Sequence, residues 1–415
     1  METWRRNLLV ITAAEATALI GFYIIIPFLP YYVQKLGVTD PDQIKFWSSW
    51  LFSGQAIALA VMAPIWGILA DRFGRKPMVE RAIFGGVLVF AGMGFAQTIQ
   101  QLMVLRVMQG LLTGTVSAAT ALVASTTPRE HAGLSLGILQ TGVYLGISLG
   151  PLLGGIFADT MGFRTTFWIT GGFALVAGLA VHFLVQEDFQ PHVEPGRPRV
   201  RAWNGVLLIV KSPLLRLIFL THMLARLGNR TVGPMLPLFV AEISGNRGGL
   251  ATVTGLISGG GALASAVGAY FLGRASDRIG QRKMLLWCTF GIALTYVPQA
   301  AVSGVMQLAS LQLASGFLMA GVLASFSALL ARFVPGERHG TVYGISSTTV
   351  AVANALGPLI GAGAAVWWGL RSVFLTTAFV LAVAGGLAWW LFSMPTGEAE
   401  IAPQPFAGGG DITTR

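Results

Sequence analysis

Apolar residues run through this chain in unbroken blocks of about 20 or more, separated by short knots of charge, glycine and proline. A helix of that length spans the roughly 30 Å hydrocarbon core of a bilayer. The blocks read as spans over 6–32, 46–70, 78–96, 101–125, 131–158 and 164–185, then over 213–242, 249–272, 284–303, 306–332, 339–367 and 372–392. They predict an all-α integral membrane protein of twelve transmembrane helices. The pattern breaks at 186–212, where Glu187, Asp188, three prolines and several basic residues read as a polar cytoplasmic linker. A six-helix bundle over 1–185 and another over 213–394 follow, and 395–415, with its glycine triplet, reads as a disordered cytoplasmic tail.

Composition agrees: 54% of residues are hydrophobic and 11% charged, more apolar surface than one soluble core hides. The net charge of +10 does not point to nucleic acid, because the basic residues cap apolar runs instead of forming a face on a soluble domain. Sorted by alternate loops, one side collects Arg5, Arg6, Arg72, Arg75, Lys76, Arg274, Arg278, Arg282 and Lys283, among others. The other holds little beyond Lys35, Lys45, Arg164, Arg247 and Arg371. The positive-inside rule then places both termini in the cytoplasm of a multi-pass membrane protein. The single cysteine, Cys288, precludes an internal disulfide and disfavours a thiol metal site. No phosphate-binding G-x-x-x-x-G-K-[ST] loop, metal-ligand cluster or nucleophile–base constellation is present, so no enzyme, cofactor or metal is expected.

A shift of about 207 residues aligns the two halves. Gly21, Pro27 and Pro30 fall on Gly228, Pro234 and Pro237; Gly150-Pro151 and Gly154 fall on Gly357-Pro358 and Gly361. The charged loop from Gly67 to Lys76 returns as Gly273 to Lys283. Because six spans is an even number, the halves are parallel repeats about an axis along the membrane normal.

Gly67, Asp71, Arg72, Gly74 and Arg75 match a loop pattern G-x-L-a-D-r-x-G-r-k, with Asp277 in its weaker copy. Gly67 would let two helices approach, Gly74 a tight turn, and Asp71 would suit a helix N-terminus. The fifth span carries Gly137, Gly146, Gly150-Pro151 and Gly154-Gly155, a packing stripe with a proline hinge. On these motifs the chain, over about residues 4–394, resembles the drug:proton antiporter branch of the major facilitator superfamily, and is similar to MdtG-like bacterial multidrug efflux proteins. The resemblance implies a loop that latches the halves in an outward-facing state, a fifth-span spacing that marks antiport, and protons as the coupling ion. It also implies that Arg106, within Leu105 to Gly110 of the fourth span, assists proton coupling at a nearby carboxylate. The bare residue reading leaves Arg106 as a snorkelling arginine too; its repeat position holds the neutral Gln312.

Glu15 lies about nine residues into the first span, roughly 13 Å deep. A carboxylate there can load a proton from one side and release it to the other, or serve as a structural partner of an arginine such as Arg106. His222 occupies the matching place in the second half and either shares the relay or is simply hydrogen-bonded. Arg226 and Arg230, one turn apart on the seventh span, either recognise an anionic or zwitterionic head group or pair with Glu15. Phe22, Tyr23, Tyr144 and Met235 are candidate apolar contacts for substrate. The expectation is a proton-coupled exporter of amphiphilic small molecules, a monomer working by alternating access. The alternatives are a symporter or lipid-linked substrate transporter, and a non-transporting membrane sensor or assembly factor.

Overall fold

The computed structural model describes residues 2–187, 212–245, 248–333 and 339–393; for Asp71, Arg129, Ala331, residues 339–344 and Phe392 it describes backbone alone. The expected linker therefore lies outside the described residues except at 186, 187 and 212, and the expected tail lies outside them entirely.

The first half contains α1 (Thr3–Tyr23), α2 (Leu29–Lys35), α3 (Pro41–Phe73), α4 (Arg75–Phe95), α5 (Ile99–Leu112), α6 (Thr115–Thr126), α7 (Ala132–Met161) and α8 (Phe163–Leu184). The second contains α9 (Pro213–Thr231), α10 (Leu236–Ser244), α11 (Leu250–Ile279), α12 (Gln281–Gln299), α13 (Val305–Phe333), α14 (His339–Trp368) and α15 (Leu370–Ser393). Among the described residues nine stretches are long and apolar enough to cross a membrane. The remaining passes, α1–α2, α9–α10 and α12, are consistent with the expected twelve. Two of them are the passes that carry Glu15, Arg226 and Arg230, whose charges dilute their apolarity.

Prolines explain two of the three interrupted passes. Pro27 and Pro30 separate α1 from α2, and Pro234 and Pro237 separate α9 from α10, each proline removing a backbone donor. The third break, between α5 and α6, contains no proline and turns instead at Gly114, with φ +113°. Helix α3 begins earlier than its apolar run, because Asp40 accepts a capping bond from the Gln43 amide at 2.8 Å and Pro41 takes the first helical position. Gly74 and Gly280, both at φ +100°, make the one-residue turns between α3 and α4 and between α11 and α12.

The halves meet through α7 on α11 and α3 on α14. On α7, Gly142, Gly146, Gly150 and Gly154 lie against Thr12, Ala16 and Ile20 of α1 and Ile24 just beyond its end, within the first half. A second face carries Ser148, Pro151 and Gly155 against Gly259, Gly255 and Ala251 of α11. The expected single fifth-span stripe is therefore two, one packing the half and one packing the halves together. Gly137 lies roughly five turns from Gly155 on the second face, yet a Cβ there would meet nothing within 4 Å. The interface is thus closed at the end where α7 finishes, the far end, and open toward the end bearing the basic loops. At the far end Asp159 accepts from the Thr252 amide at 2.7 Å and its hydroxyl at 2.6 Å, while Lys45 donates to the Ala365 carbonyl at 3.2 Å.

Candidate functional site

A polar layer crosses the first half between two apolar clusters. Leu8, Ile11, Ala14, Ala118 and Leu122 belong to the cluster at the basic end; Ile25, Leu51, Val89 and Leu102 belong to the one at the far end. Between them lie Glu15, Gln55, Arg106, Gln109 and Thr115, all buried. Arg106 is 1% exposed, donates through Nε to the Leu51 carbonyl at 3.2 Å and through a terminal nitrogen to Gln109 Oε1 at 2.6 Å, and lies 5.4 Å from the Phe52 ring centroid. Those contacts offset the cost of burying the guanidinium without a carboxylate. Arg106 does not snorkel to an interface.

Glu15 is also 1% exposed. Its Oε1 accepts from Thr115 Oγ1 at 2.8 Å, and its Oε2 has no partner. Among the described residues no arginine pairs with it, neither Arg106 nor Arg226 nor Arg230. Thr115 and Gln109 were not singled out in the sequence; their signal there was only a hydroxyl and an amide in an apolar run. His222 is buried with its ring flat on Phe326, centroids 3.6 Å apart at 12°. Its Nδ1 has no hydrogen-bond partner among the described residues.

Across the cleft, Arg226 and Arg230 of α9 are half-buried, and the Arg226 Nε has no hydrogen-bond partner. Tyr23 on α1 and Tyr144 on α7 lie near Arg226, so residues of both halves border this position. Phe22 packs on Tyr23 with centroids 5.3 Å apart. Met235 does not join them: it is 2% exposed, within the second half's core, because α9 ends before it and the Pro234–Pro237 turn folds it inward.

The loop motif is held within its own half. The Arg75 and Lys76 amides donate to the Glu187 carboxylate at 2.8 to 3.1 Å, an anion on the N-terminus of α4. Lys76 Nζ also donates to the His182 carbonyl at 2.8 Å, and Arg72 lies over Phe73. Gly67 supports no close helix approach in this conformation, since a Cβ there would meet nothing within 4 Å, and Asp277 is exposed. The Asp71 side chain lies outside what is described.

A two-fold helical repeat with inter-half contacts at one end is a transporter architecture, and sequence comparison decides which. The pattern described as Major Facilitator Superfamily matches residues 11–224 and again 218–410. The chain belongs to the Major Facilitator Superfamily. It is 35% identical over 399 residues to Multidrug resistance protein MdtG of Rahnella sp. (strain Y9602), covering 96% of each chain. It is 34% identical over 387 residues to Multidrug resistance protein MdtG of Escherichia coli O1:K1 / APEC, covering 93% of this chain and 94% of that one. Among solved structures, a bacterial homolog of the human lysosomal transporter Spinster, inward-facing and occupied, has a TM-score of 0.80 at 13% identity, covering 96% and 99%. The nucleoside transporter NupG has a TM-score of 0.78 at 12% identity, covering 92% and 100%. This member of the superfamily is a secondary transporter, not an enzyme, and resembles multidrug efflux proteins throughout its length.

Proposed function

We propose that this protein exports amphiphilic small molecules in exchange for protons, by alternating access, and that Glu15 carries the proton. The observation that supports this most directly is a carboxyl group buried at membrane depth with one oxygen unpartnered and no cation paired to it. Such a group has no structural reason to stay charged, so protonation changes the cost of burying it and biases the rocking of one half on the other. Arg106, three residues from Gln109 in the same layer, tunes that equilibrium by its field. Gly146, Gly150, Pro151, Gly154 and Gly155 provide the sliding and hinge surfaces. By the positive-inside rule the basic end and both termini face the cytoplasm, so this conformation is inward-facing; the Gly67–Arg75 loop latches in the opposite state. The protein acts as a monomer in the bacterial inner membrane.

The substrate contacts are Phe22, Tyr23, Tyr144, Arg226 and Arg230. Arg226, whose Nε has no hydrogen-bond partner among the described residues, favours substrates with an anionic or zwitterionic head group, and a lipid-linked substrate would suit it equally. The relatives named multidrug resistance proteins support export in place of uptake.

The test uses purified protein in liposomes with a pH-sensitive dye inside, an imposed proton gradient, and a panel of cationic, neutral and anionic amphiphiles. Proton movement opposite to substrate movement is expected, and it should vanish in Glu15→Gln while substrate binding persists, because the amide mimics the protonated acid. Movement in the same direction would establish symport instead.

A further inference from the structure

The fourth pass is broken where no proline requires it, and the break has a geometric effect. Helix α5 packs on α3, with Gly110 against the Gln55 carbonyl, and on α4, whereas α6 packs on α4, α1 and α7. At Gly114 the backbone is left-handed, at φ +113° and ψ 46°, and Thr115 is the first residue of α6. The upstream end is fastened as well, since the Thr113 amide and hydroxyl donate to the Gln109 carbonyl at 2.9 and 2.6 Å. The change of direction turns Thr115 onto α1, where its hydroxyl reaches Glu15. On the register that sets Arg106 against Gln312 and Gly110 against Gly316, the second-half counterpart of Thr115 is Gly321, buried within the uninterrupted α13 and without a hydroxyl.

We propose that Thr115 is a positioning residue for proton exchange at Glu15. Its hydroxyl holds Oε1, so that the proton is gained and lost at Oε2. An incoming proton from water forms an O–H bond at Oε2 and leaves Oε1 as the carbonyl oxygen, still accepting from Thr115; release to water reverses the step and restores the carboxylate. A hydroxyl fixed on one oxygen keeps the carboxyl in one orientation through both states and ties it to the break in the fourth pass. Other charges do not perform this task. Among the elements packed on α1, α6 carries no ionisable residue. On α7, Tyr144 lies by Arg226 and Asp159 holds Thr252; on α8, Arg164 donates to the Ala96 carbonyl and His182 contacts Glu80. Arg5 and Arg6, on α1 itself, sit more than two turns away toward the basic end.

This inference rests on Glu15 as the proton carrier, and the experiment separates the two. The pH dependence of substrate–proton exchange is measured in liposomes for the full-length protein, Glu15→Gln, Thr115→Val and Thr115→Ser, with Thr115→Ala as a second deletion should valine fail to pack. Infrared difference spectra between acid and alkaline pH follow the protonated carboxyl C=O band, assigned by its loss in Glu15→Gln. Removing the hydroxyl is expected to move the half-maximal pH by about one unit, the scale of a hydrogen bond to a charged group. It should also raise the carboxyl band's frequency, and Thr115→Ser should restore both. A parental profile and band in Thr115→Val and Thr115→Ala overturn the role of Thr115 while leaving Glu15 in place. Persistent pH-dependent exchange in Glu15→Gln overturns the carrier and this proposal together.

Discussion

In the second half the buried apolar side chains form one continuous cluster, from Leu214 and Leu215 to Val302 and Leu308, whereas those of the first half fall into two clusters with a polar layer between. The second half has buried polar groups too; Thr221 Oγ1 and His222 Nδ1 lack partners among the described residues, but its glutamine network is neutral and satisfied. Gln312 donates to Gln299 at 3.0 Å, and Gln299 donates to Ser315 at 3.0 Å and to the Thr295 carbonyl at 3.1 Å. The first-half layer holds a guanidinium and a carboxyl, and leaves Glu15 Oε2 and Gln109 Nε2 without partners. At the Arg106 position, two copies of one scaffold thus show that the fold does not need charge there. A satisfied neutral network rigidifies; an unsatisfied charged layer is retained for what its charge can do.

The sharpest way to break this comparison is to make the first half resemble the second. Arg106→Gln should abolish proton-coupled export, a loss of at least tenfold in the liposome exchange rate, since the layer loses the charge that acts on Glu15. Thermal unfolding in detergent should change little, because the repeat position already tolerates Gln312. Normal exchange in a folded Arg106→Gln protein would make the arginine a packing residue. Next in size, Gly114→Ala should destabilise the protein by about 1–2 kcal/mol, because an L side chain is strained in the left-handed region. The added Cβ would also sit 3.3 Å from Leu59 Cδ1. A lowered melting temperature checks this, and an unchanged one would mean that the fourth pass can run straight.

The repeat was the most legible feature of the sequence because it is written in residues whose backbone demands are local. Pro27 and Pro30, with Pro234 and Pro237, interrupt both copies of the same pass, and Gly74 and Gly280 turn both copies of the same loop. What stayed hidden depends on which neighbour a side chain meets. Thr115 is one hydroxyl in an apolar run, and only the bend at Gly114 delivers it to Glu15. Gly137 and Gly155 share a helix face but not a fate, because one meets α11 and the other meets the open end of the interface. Met235 reads as a cavity residue in the sequence; the Pro234–Pro237 turn is local, but the second-half core it carries Met235 into is assembled from distant segments. Asp159, at the end of an apolar run, gave no sign that it caps α11 of the other half.

The smallest effect belongs to the satisfied network. Gln299 is fully buried and bonded at both ends of its amide, so on burial alone its deletion would cost as much as deleting a charge. Within a helical membrane bundle, however, interhelical hydrogen bonds average about 0.6 kcal/mol, because the partners left behind find new ones. Gln299→Leu should therefore lower stability by about 0.5–1.5 kcal/mol, partly recovered by the apolar side chain's packing, and leave the pH profile of exchange where it was. Thermal unfolding and the liposome assay measure the two effects separately. A shifted pH profile would mean that the neutral network of the second half communicates with the charged layer of the first, and the division of labour between the two halves would have to be redrawn around their shared interface.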